Sequence, residues 1–582
     1  MRPSLAALAA SVLIALLAPA PARAGDPVMA LADVQAGMQC TGYSVVRGTD
    51  VSSFDVEILD VVDAAATGRG ARILLQASGP AVDATGLGPG FSGSPVYCPD
   101  AAGNPSNVGA ISEAIGEYGG KVVLATPIEA ILGSPVDPPK VRPGASLRGG
   151  RRLGRIRSLA SPLTVSGLAP SLGTALTRAA ARRGRVVLAA PVGPLGSFGV
   201  QSLRPGSAFS VGYSNGDLQA GAAGTIAYTD QDRVWGFGHP FEGIGPRSLL
   251  LQDAYVFRVI NNPIGVEGAI TYKLAAGGHD LGTLTNDTLD AVTGRVGALP
   301  ATIPVRANAK DLDAGTTRSV AMGVADESGV DEPSGGSPLA FLGPLGTLQA
   351  AGTVLNGSPA RLTARGCFKV ALRELRKPLR FCNRYVTDTA DPSSGSAVAA
   401  LAAGDLSDAL AQIDAYKPAV LHVTGVDSSV QVRRGQRQAF LRAVKLPRRA
   451  RAGQRVRATL VLRHVRGRLE RKRVRLKLPL DLRPGRQRRV VFRGTDVDGG
   501  GGDFFDELIG LFEEEGGGGD GLGPASVQEL ALSIEALERF DGVYARPPSD
   551  DEEDIDPGEP AYLDPDVRIS GRASARLRVT RR

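Results

Sequence analysis

The 582-residue sequence predicts a mainly β protein with a few short helices. Glycine (75 residues) and proline (40 residues) are frequent, which favours many short strands and turns over long helices. Only 5% of the residues are aromatic, so Val, Leu and Ala must fill most of any core. Short β-branched segments recur at regular intervals between turn residues, a spacing typical of a barrel or a sandwich. The length predicts two to four domains.

The first 24 residues are typical of a secretory signal peptide. Arg2 supplies a short positive region, an apolar stretch follows, and residues 22–24 form a small-x-small cleavage site. An uncleaved anchor helix is the alternative, but the stretch is short and followed by prolines. No later stretch reaches the roughly 18 to 20 apolar residues that a membrane span needs. We therefore expect a secreted or cell-envelope protein with no transmembrane segment after cleavage.

The four cysteines agree with export, because an oxidising compartment favours disulfides. Their order suggests the pairs Cys40–Cys98 and Cys367–Cys382, one of the three pairings that four cysteines allow. Metal binding is the rival interpretation. No CxxC spacing occurs and no histidine lies near a cysteine, so we expect neither a metal nor another cofactor.

The C-terminal region, residues 396–582, begins with a predicted helix. The strands that follow alternate basic and apolar residues, which predicts an immunoglobulin-like β-sandwich. An acidic, glycine-flanked insertion at about 496–523 interrupts it. This insertion is either a flexible segment or a short helical motif that docks on a partner or on the nearby basic strands.

Positive charge is concentrated between residues 431 and 490, where 22 Lys and Arg stand against Glu470 and Asp481. In an exported protein this favours an anionic envelope polymer or lipid over nucleic acid as a partner. The alternative is that these side chains simply cover the solvent face of the sandwich, partly neutralised by the acidic insertion.

The segment GPGFSGSPVY around Ser92 is a candidate for catalysis. A serine nucleophile needs an exposed hydroxyl, a base, and backbone N–H groups aimed at the developing oxyanion. Glycines allow the backbone angles that aim such groups inward, with Gly90 and Ser92 as the donors. The loop is not the α/β-hydrolase elbow, because Ser94 stands where that motif needs a second glycine. A turn without chemistry is the alternative.

His239 is the candidate base among four histidines. His422 and His464 lie in or beside the basic strands, and His279 lies in a predicted polar turn. His239, in VWGFGHP, closes a predicted strand between a glycine and a proline, where an imidazole can face a cleft. A packed turn histidine is the alternative.

Two separate segments resemble a known family. The serine half of the SpoIVB peptidase family resembles four stretches of this sequence: FDVEILDVV, GPAVDATGLGPGFSGSPVY, VGAISEAIG and ATPIEAIL. The family's histidine segment is similar to GTIAYTDQDRVWGFGHP. The Ser92 loop is also similar to the Gly-Asp-Ser-Gly-Gly-Pro loop of chymotrypsin-like peptidases. The resemblance covers roughly residues 31–305. It implies Ser92 as nucleophile, His239 as general base, and an oxyanion hole at Gly90 and Ser92.

The sequence also departs from that family. The serine segment precedes the histidine segment, so the resemblance implies a chymotrypsin-like double β-barrel in permuted order. Gly79 stands at the position of the family's acid, and Asp83 or Asp253 could orient the imidazole instead. The family's PDZ domain is missing, so a sporulation role does not transfer.

The predicted function is an exported serine endopeptidase that acts on a protein or peptide, with the chain itself as one candidate substrate. The alternative is a catalytically inactive protein that keeps the peptidase scaffold and binds envelope or protein partners. The predicted organisation is a signal peptide (1–24), a serine-bearing half-module (25–140), a basic linker (141–158), a histidine-bearing half-module (159–395), and the helix plus sandwich (396–582).

Overall fold

A computed structural model shows a mainly β chain, and the described part has six α-helices, of which two are 17 and 18 residues long instead of short. It describes residues 25–64, 70–115, 120–137, 156–158, 162–191, 198–261, 271–330, 337–355, 361–387, 397–480, 482–485, 487–494, 504–510, 523–537, 539, 541–546 and 559–580. The predicted signal peptide, most of the predicted linker and the two glycine runs lie outside these ranges. Among the described helices, none combines the length and apolar character that a bilayer crossing requires.

The first region is a closed ring of six strands. They are β1 (Gln39–Val45), β2 (Val51–Val62), β3 (Arg72–Ser78), β4 (Pro95–Pro99), β5 (Pro105–Ile115) and β6 (Val122–Pro127), followed by helix α1 (Ile128–Leu132). The order is β4-β1-β2-β3-β6-β5, and β4 also pairs with β5, which closes the ring. Apolar side chains fill its interior. Strand β7 (Ile156–Ser158) pairs with β5, so the end of the predicted linker is a strand.

The second region is another closed ring of six strands. Its elements are β8 (Leu163–Ser166), α2 (Pro170–Arg182), β9 (Val187–Ala190), β10 (Ala208–Gly212), β12 (Gln219–Asp230), β13 (Arg233–Gly236), β14 (Gly245–Ile260), β15 (Tyr272–Asp287) and β16 (Val292–Val296). The ring order is β10-β14-β15-β16-β13-β12, closed by pairing of β10 with β12. Strands β8 and β9 extend it. Residues 198–203, which precede β10, form no strand.

A six-stranded sheet with two helices follows. It contains β11 (Ser214–Gly216), β17 (Thr302–Asp311), β18 (Thr317–Ala325), β19 (Leu362–Leu372), β20 (Leu379–Thr387) and β21 (Val423–Arg434), with helices α3 (Pro338–Val354) and α4 (Ala397–Asp414). Strand β21 was predicted to belong to the sandwich, but it pairs with β17 and β19. Its alternate valines enter the core under the two helices, so the predicted boundary at residue 396 divides one folded region.

The C-terminal strands form two sheets on one apolar core. They are β22 (Gln438–Lys445), β23 (Arg449–Arg451), β24 (Arg455–His464), β25 (Leu469–Lys477), β26 (Gln487–Arg493), β27 (Gly542–Arg546), β28 (Glu559–Leu563), β29 (Arg568–Ser570) and β30 (Arg572–Thr580). The orders are β25-β24-β22-β29 and β23-β30-β26-β27-β28. Two stacked sheets agree with a sandwich, whereas the immunoglobulin-like topology stays a prediction.

In the described part of the segment between strands β26 and β27 there are two helices. They are α5 (Phe504–Gly510), within the predicted acidic insertion, and α6 (Val527–Glu535). Helix α5 buries its apolar side chains in the core beside α2 and α4, and Arg182 pairs with Asp506 at 2.9 Å. The described part of the insertion is therefore a helix that docks within its own chain, away from the basic strands.

Both predicted disulfides are present. The Cys40–Cys98 disulfide joins the adjacent strands β1 and β4. Cys98 lies six residues after Ser92. Cys367 and Cys382 face each other across β19 and β20. The first bond ties the segment that follows the Ser92 loop to the start of the first ring.

The two rings pack against each other through two apolar clusters. One combines side chains of β5 and α1 with those of β12 and β13, and the other places Val45 and Val51 against small residues of β10, β12, β14 and β15. The Trp235 indole N–H donates to the Ser134 carbonyl oxygen at 3.1 Å across this junction. Polar residues, including Ser92, lie between the two clusters and form the site described next.

Candidate active site at the junction of the two rings

The Ser92 loop consists of two successive β-turns. The Phe91 N–H donates to the Gly88 carbonyl oxygen at 3.0 Å, and the Ser94 N–H donates to the Phe91 carbonyl oxygen at 2.9 Å. Ser92 is thus the second residue of the second turn. Its own carbonyl oxygen accepts from the Thr225 N–H of β12 at 2.8 Å, which fixes the loop to the second ring.

Glycine is required at the third position of both turns. Gly90 has φ +94° and Gly93 has φ +89°, the left-handed values that type II turns need there. A Cβ at position 93 would lie 1.8 Å from the Thr225 carbonyl oxygen, so no side chain fits. The glycine pattern of the sequence therefore reflects turn geometry and a close approach to β12.

The amides of Gly90 and Ser92 are open. Neither N–H donates a hydrogen bond anywhere in the part of the chain that the structure describes. By contrast, the Gly93 N–H donates to the Ile111 carbonyl oxygen at 2.7 Å. The two amides predicted as oxyanion donors are thus the two that the turn leaves uncommitted, as an oxyanion hole requires.

His239 follows the end of β13. Its Nδ1 lies 2.6 Å from the carbonyl oxygen of Pro240, and a carbonyl only accepts, so Nδ1 carries the proton in the neutral ring. Nε2 then holds the lone pair that a general base needs. The preceding Gly238 carbonyl oxygen accepts from the Thr126 hydroxyl at 2.6 Å, which anchors this segment to the first ring.

The Ser92 and His239 segments meet on strand β5. Gly93 bonds to Ile111, and a Cβ on Gly238 would lie 3.3 Å from the Ala110 carbonyl oxygen. Both Ser92 and His239 are fully buried, although the sequence predicted an exposed serine hydroxyl. Ser92 Oγ makes no hydrogen bond within the described residues, so it is not bonded to His239 in this state.

The structure does not bring either candidate acid to His239. Asp83 is a surface residue bound to Lys121 Nζ at 2.7 Å, and this hydrogen bond lowers the pKa of its carboxyl. Asp253 is buried on β14, where it accepts from the Gln201 N–H at 2.9 Å and from His279 Nδ1 at 2.9 Å. Asp253 therefore orients a different histidine.

The other three histidines each contact a carboxylate. His279 pairs with Asp253, while His422 and His464 pair with glutamates of neighbouring strand ends. His279 lies within β15, so its predicted polar turn is wrong. The Nδ1 of His239 contacts the backbone carbonyl oxygen of Pro240.

Asp287 is an acid near His239 to which the sequence assigned no role. It is buried at the end of β15 and accepts from the N–H groups of Phe241, Glu242 and Gly243 at 2.7 to 2.8 Å. Burial raises the pKa of its carboxyl, although these three donors oppose the shift. Asp287 thus fixes the loop after His239 instead of touching the ring. Its position at a strand end, in TNDT, was the available signal.

Lys273 is a second residue that the sequence did not single out. Its side chain is fully buried behind the Ser92 loop. Nζ lies 2.7 Å from Ser44 Oγ, 3.2 Å from Thr225 Oγ1 and 4.4 Å from the centre of the Phe91 ring. Burial lowers the pKa of the amine to about 7. A lone lysine in the apolar sequence segment ITYKLAA was the only sign of it.

No group of three or more potential metal ligands comes together within the described ranges. A comparison of the chain with family models, with curated proteins and with solved structures finds no match. The interpretation of this site therefore starts from its own geometry.

Proposed function

We propose that the protein is an exported serine-type peptidase, with Ser92 as nucleophile and His239 as general base. The observation that carries the proposal is the meeting of the Ser92 turn and the His239 strand end, with two open amides in the turn. Two six-stranded rings with the site between them support a permuted, chymotrypsin-like arrangement. The disulfides are compatible with export.

In this mechanism His239 Nε2 takes the proton of the Ser92 hydroxyl as Oγ attacks a peptide carbonyl carbon. The amides of Gly90 and Ser92 then stabilise the negative oxygen of the tetrahedral intermediate. The imidazolium then donates this proton to the amine nitrogen as the C–N bond breaks. The amine departs and Ser92 remains acylated. Water, deprotonated by the same Nε2, hydrolyses the ester and restores Ser92.

The Pro240 carbonyl performs one function of a triad acid, the orientation of the imidazole. By accepting the Nδ1 proton at 2.6 Å, it fixes the tautomer in which Nε2 is basic. A neutral carbonyl stabilises an imidazolium less than a carboxylate does, so we expect slow turnover. This arrangement suits a sequence that has Gly79 at the position of the acid.

The structure corresponds to a closed form in this proposal. Ser92 and His239 are both inaccessible to solvent, and no hydrogen bond yet joins them. A substrate can reach Ser92 only after the junction opens. Slow or triggered activity, including cleavage of the chain itself, fits such a state.

The test compares the wild type with Ser92→Ala, and uses Ser53→Ala as the control because Ser53 is an exposed serine of β2. The wild type and Ser53→Ala should react with a fluorophosphonate probe and release fragments detectable by intact mass, and Ser92→Ala should do neither. Equal labelling of all three proteins would rule out Ser92 as the nucleophile. A folded, exported wild type that neither labels nor cleaves, even when sub-denaturing urea is added to open the junction, would rule out the peptidase.

A second candidate function is binding of an anionic polymer by an inactive scaffold. Arg457 lies opposite Arg475, and Arg455 lies opposite Lys477, on the exposed face of β24 and β25. Like charges directly opposite each other are destabilising, so this face favours an anionic ligand. Retention of the Ser92→Ala protein on heparin–agarose, lost at high salt, would support this function. Absent or salt-insensitive retention would contradict it.

A further inference from the structure

We propose that Lys273 is the positioning residue that orients both candidate oxyanion donors of the Ser92 turn. The structural part of this inference is the anchoring of three loop carbonyls, those of Pro89, Gly90 and Phe91, by one residue. Its consequence for catalysis rests on the proposed function.

Two hydrogen-bond chains run from the Lys273 amine to the loop. The Ser94 hydroxyl donates to the Phe91 carbonyl oxygen at 2.6 Å, so Ser94 Oγ accepts the Ser44 hydroxyl proton at 2.8 Å. Ser44 Oγ in turn accepts from Lys273 Nζ at 2.7 Å. This first chain therefore has one direction, from the amine to the carbonyl of Phe91.

The second chain is shorter. The Thr225 hydroxyl donates to the Gly90 carbonyl oxygen at 3.1 Å, so its oxygen accepts from Lys273 Nζ at 3.2 Å. Both chains begin at a donor and end on a loop carbonyl. A hydroxyl in place of the amine could donate only one proton and a carboxylate none, so neither could serve both acceptors.

The backbone of Lys273 anchors a third carbonyl. Its N–H donates to the Pro89 carbonyl oxygen at 2.9 Å. A Cβ at position 90 would lie 2.8 Å from the Lys273 Cβ, so the lysine stem packs directly on Gly90. One residue therefore holds the loop through its backbone, its stem and its amine.

Peptide planarity converts these anchors into donor orientation. In a trans peptide the C=O and the next N–H point in opposite directions, and the described chain contains no cis peptide. Anchoring the Pro89 carbonyl on Lys273 turns the Gly90 N–H away from β15. Anchoring the Phe91 carbonyl through Ser94 turns the Ser92 N–H away from the same network. These are the two open amides of the turn.

The surroundings of the amine match a donor of two protons. Its contacts in the described chain are two hydroxyls and the Phe91 ring, with no carboxylate among them. Burial lowers the pKa of Lys273 to about 7, so a neutral amine is accessible near neutral pH. A neutral amine has two N–H groups, one for each chain.

The experiment measures two quantities in Lys273→Met, which keeps the stem and the backbone N–H to Pro89 but has no side-chain donor. The first is the rate of Ser92 labelling by a fluorophosphonate from pH 6 to 9, and the second is hydrogen exchange of peptides covering residues 88–98. We expect labelling to fall at least about tenfold and loop exchange to accelerate at least about tenfold. Lys310→Met, which alters an exposed strand lysine, should change neither.

Ser94→Ala provides an independent variant, because it removes one hydroxyl from the first chain with little change in volume. Ser94→Ala should slow the labelling of Ser92. In the Lys273→Met background the same substitution should slow labelling by a smaller factor than in the wild type, because both residues act through one hydrogen-bond chain. Unchanged loop exchange in Lys273→Met would overturn the inference. If wild-type Ser92 never labels, the peptidase proposal fails while hydrogen exchange still decides the role of Lys273.

Discussion

The imidazole of His239 stacks on the ring of Phe237, with ring centres 5.4 Å apart and planes inclined by 17°. Phe237 is fully buried, touches Phe209 at 5.1 Å between ring centres, and has φ +65°. A bulky residue with positive φ is rare and must be held by its surroundings. The plane of the candidate base is therefore set by a residue that the core of the second ring fixes in place.

Replacing Phe237 with alanine should destabilise the protein and disorder the base. Loss of a fully buried phenylalanine costs about 3 to 5 kcal/mol of the free energy of unfolding, which urea denaturation measures. Phe257→Ala, at a half-buried position, should cost less. Equal costs for the two variants would show that Phe237 packing has no special part in holding this segment.

Asp287→Asn should loosen the loop that follows His239. The carboxylate accepts from three backbone N–H groups with two oxygens, whereas an asparagine has one accepting oxygen and would leave at least one of these part-buried donors unsatisfied. Such a loss costs about 1 to 3 kcal/mol. Hydrogen exchange at residues 241–243 should accelerate, while Asp60→Asn on the exposed face of β2 should leave that exchange unchanged. Identical exchange in the two variants would contradict the assignment.

The stability of the protein should depend on the protonation of Lys273. Its pKa is about 7 in the folded protein and about 10.4 in an unfolded chain. Between these values the unfolded chain binds more protons, so the free energy of unfolding rises with pH. The contribution approaches about 1.4 kcal/mol per pH unit above pH 7 and ends near pH 10.

Lys273→Met should lack this contribution. We compare the unfolding free energies of wild type and variant at pH 7.5 and at pH 9. Their difference isolates the contribution of Lys273, because all other groups titrate in both proteins. We expect the wild type to gain about 2 kcal/mol relative to the variant over this interval. A difference that does not change with pH would mean that the amine keeps an ordinary pKa.

Arg457→Glu should stabilise the sandwich and weaken binding to anionic polymers. Residue 457 lies opposite Arg475, so the change replaces a like-charge pair with an opposite-charge pair. We expect a gain of about 0.2 to 1 kcal/mol and elution from heparin–agarose at lower salt. Arg457→Gln separates relief of repulsion from the new attraction. If elution is unaffected by both changes, this face does not bind the polymer.

Strands with one buried face were predictable from the sequence because their side chains alternate. Strand β17, in TIPVRANAKD, follows this pattern closely. Helix α3 left no such signal, since it is buried on nearly all sides and contains Pro344 and several glycines. Strand β21 was recognised as a strand, but its pairing with β17 depends on a contact between segments more than 100 residues apart.

The same reasoning applies to the site. The turn glycines around Ser92 were predictable, because positive φ and close backbone approach leave few other choices. Lys273 was not, because Ser44 lies 229 residues away in the chain and nothing local shows that the two meet. Asp287 was not predictable either, because it accepts hydrogen bonds from backbone N–H groups, and the sequence does not show which backbone groups meet which side chain.

Helix α5 has a consequence for how this protein could be divided. It lies in the chain between two sandwich strands, yet its apolar side chains, with Leu530 and Ile534 of α6, complete the core beside α2 and α4. The chain therefore passes from the middle region to the sandwich, returns, and passes out again. A truncation after residue 434 would remove these side chains and leave an apolar hollow, so no single cut there yields two intact fragments.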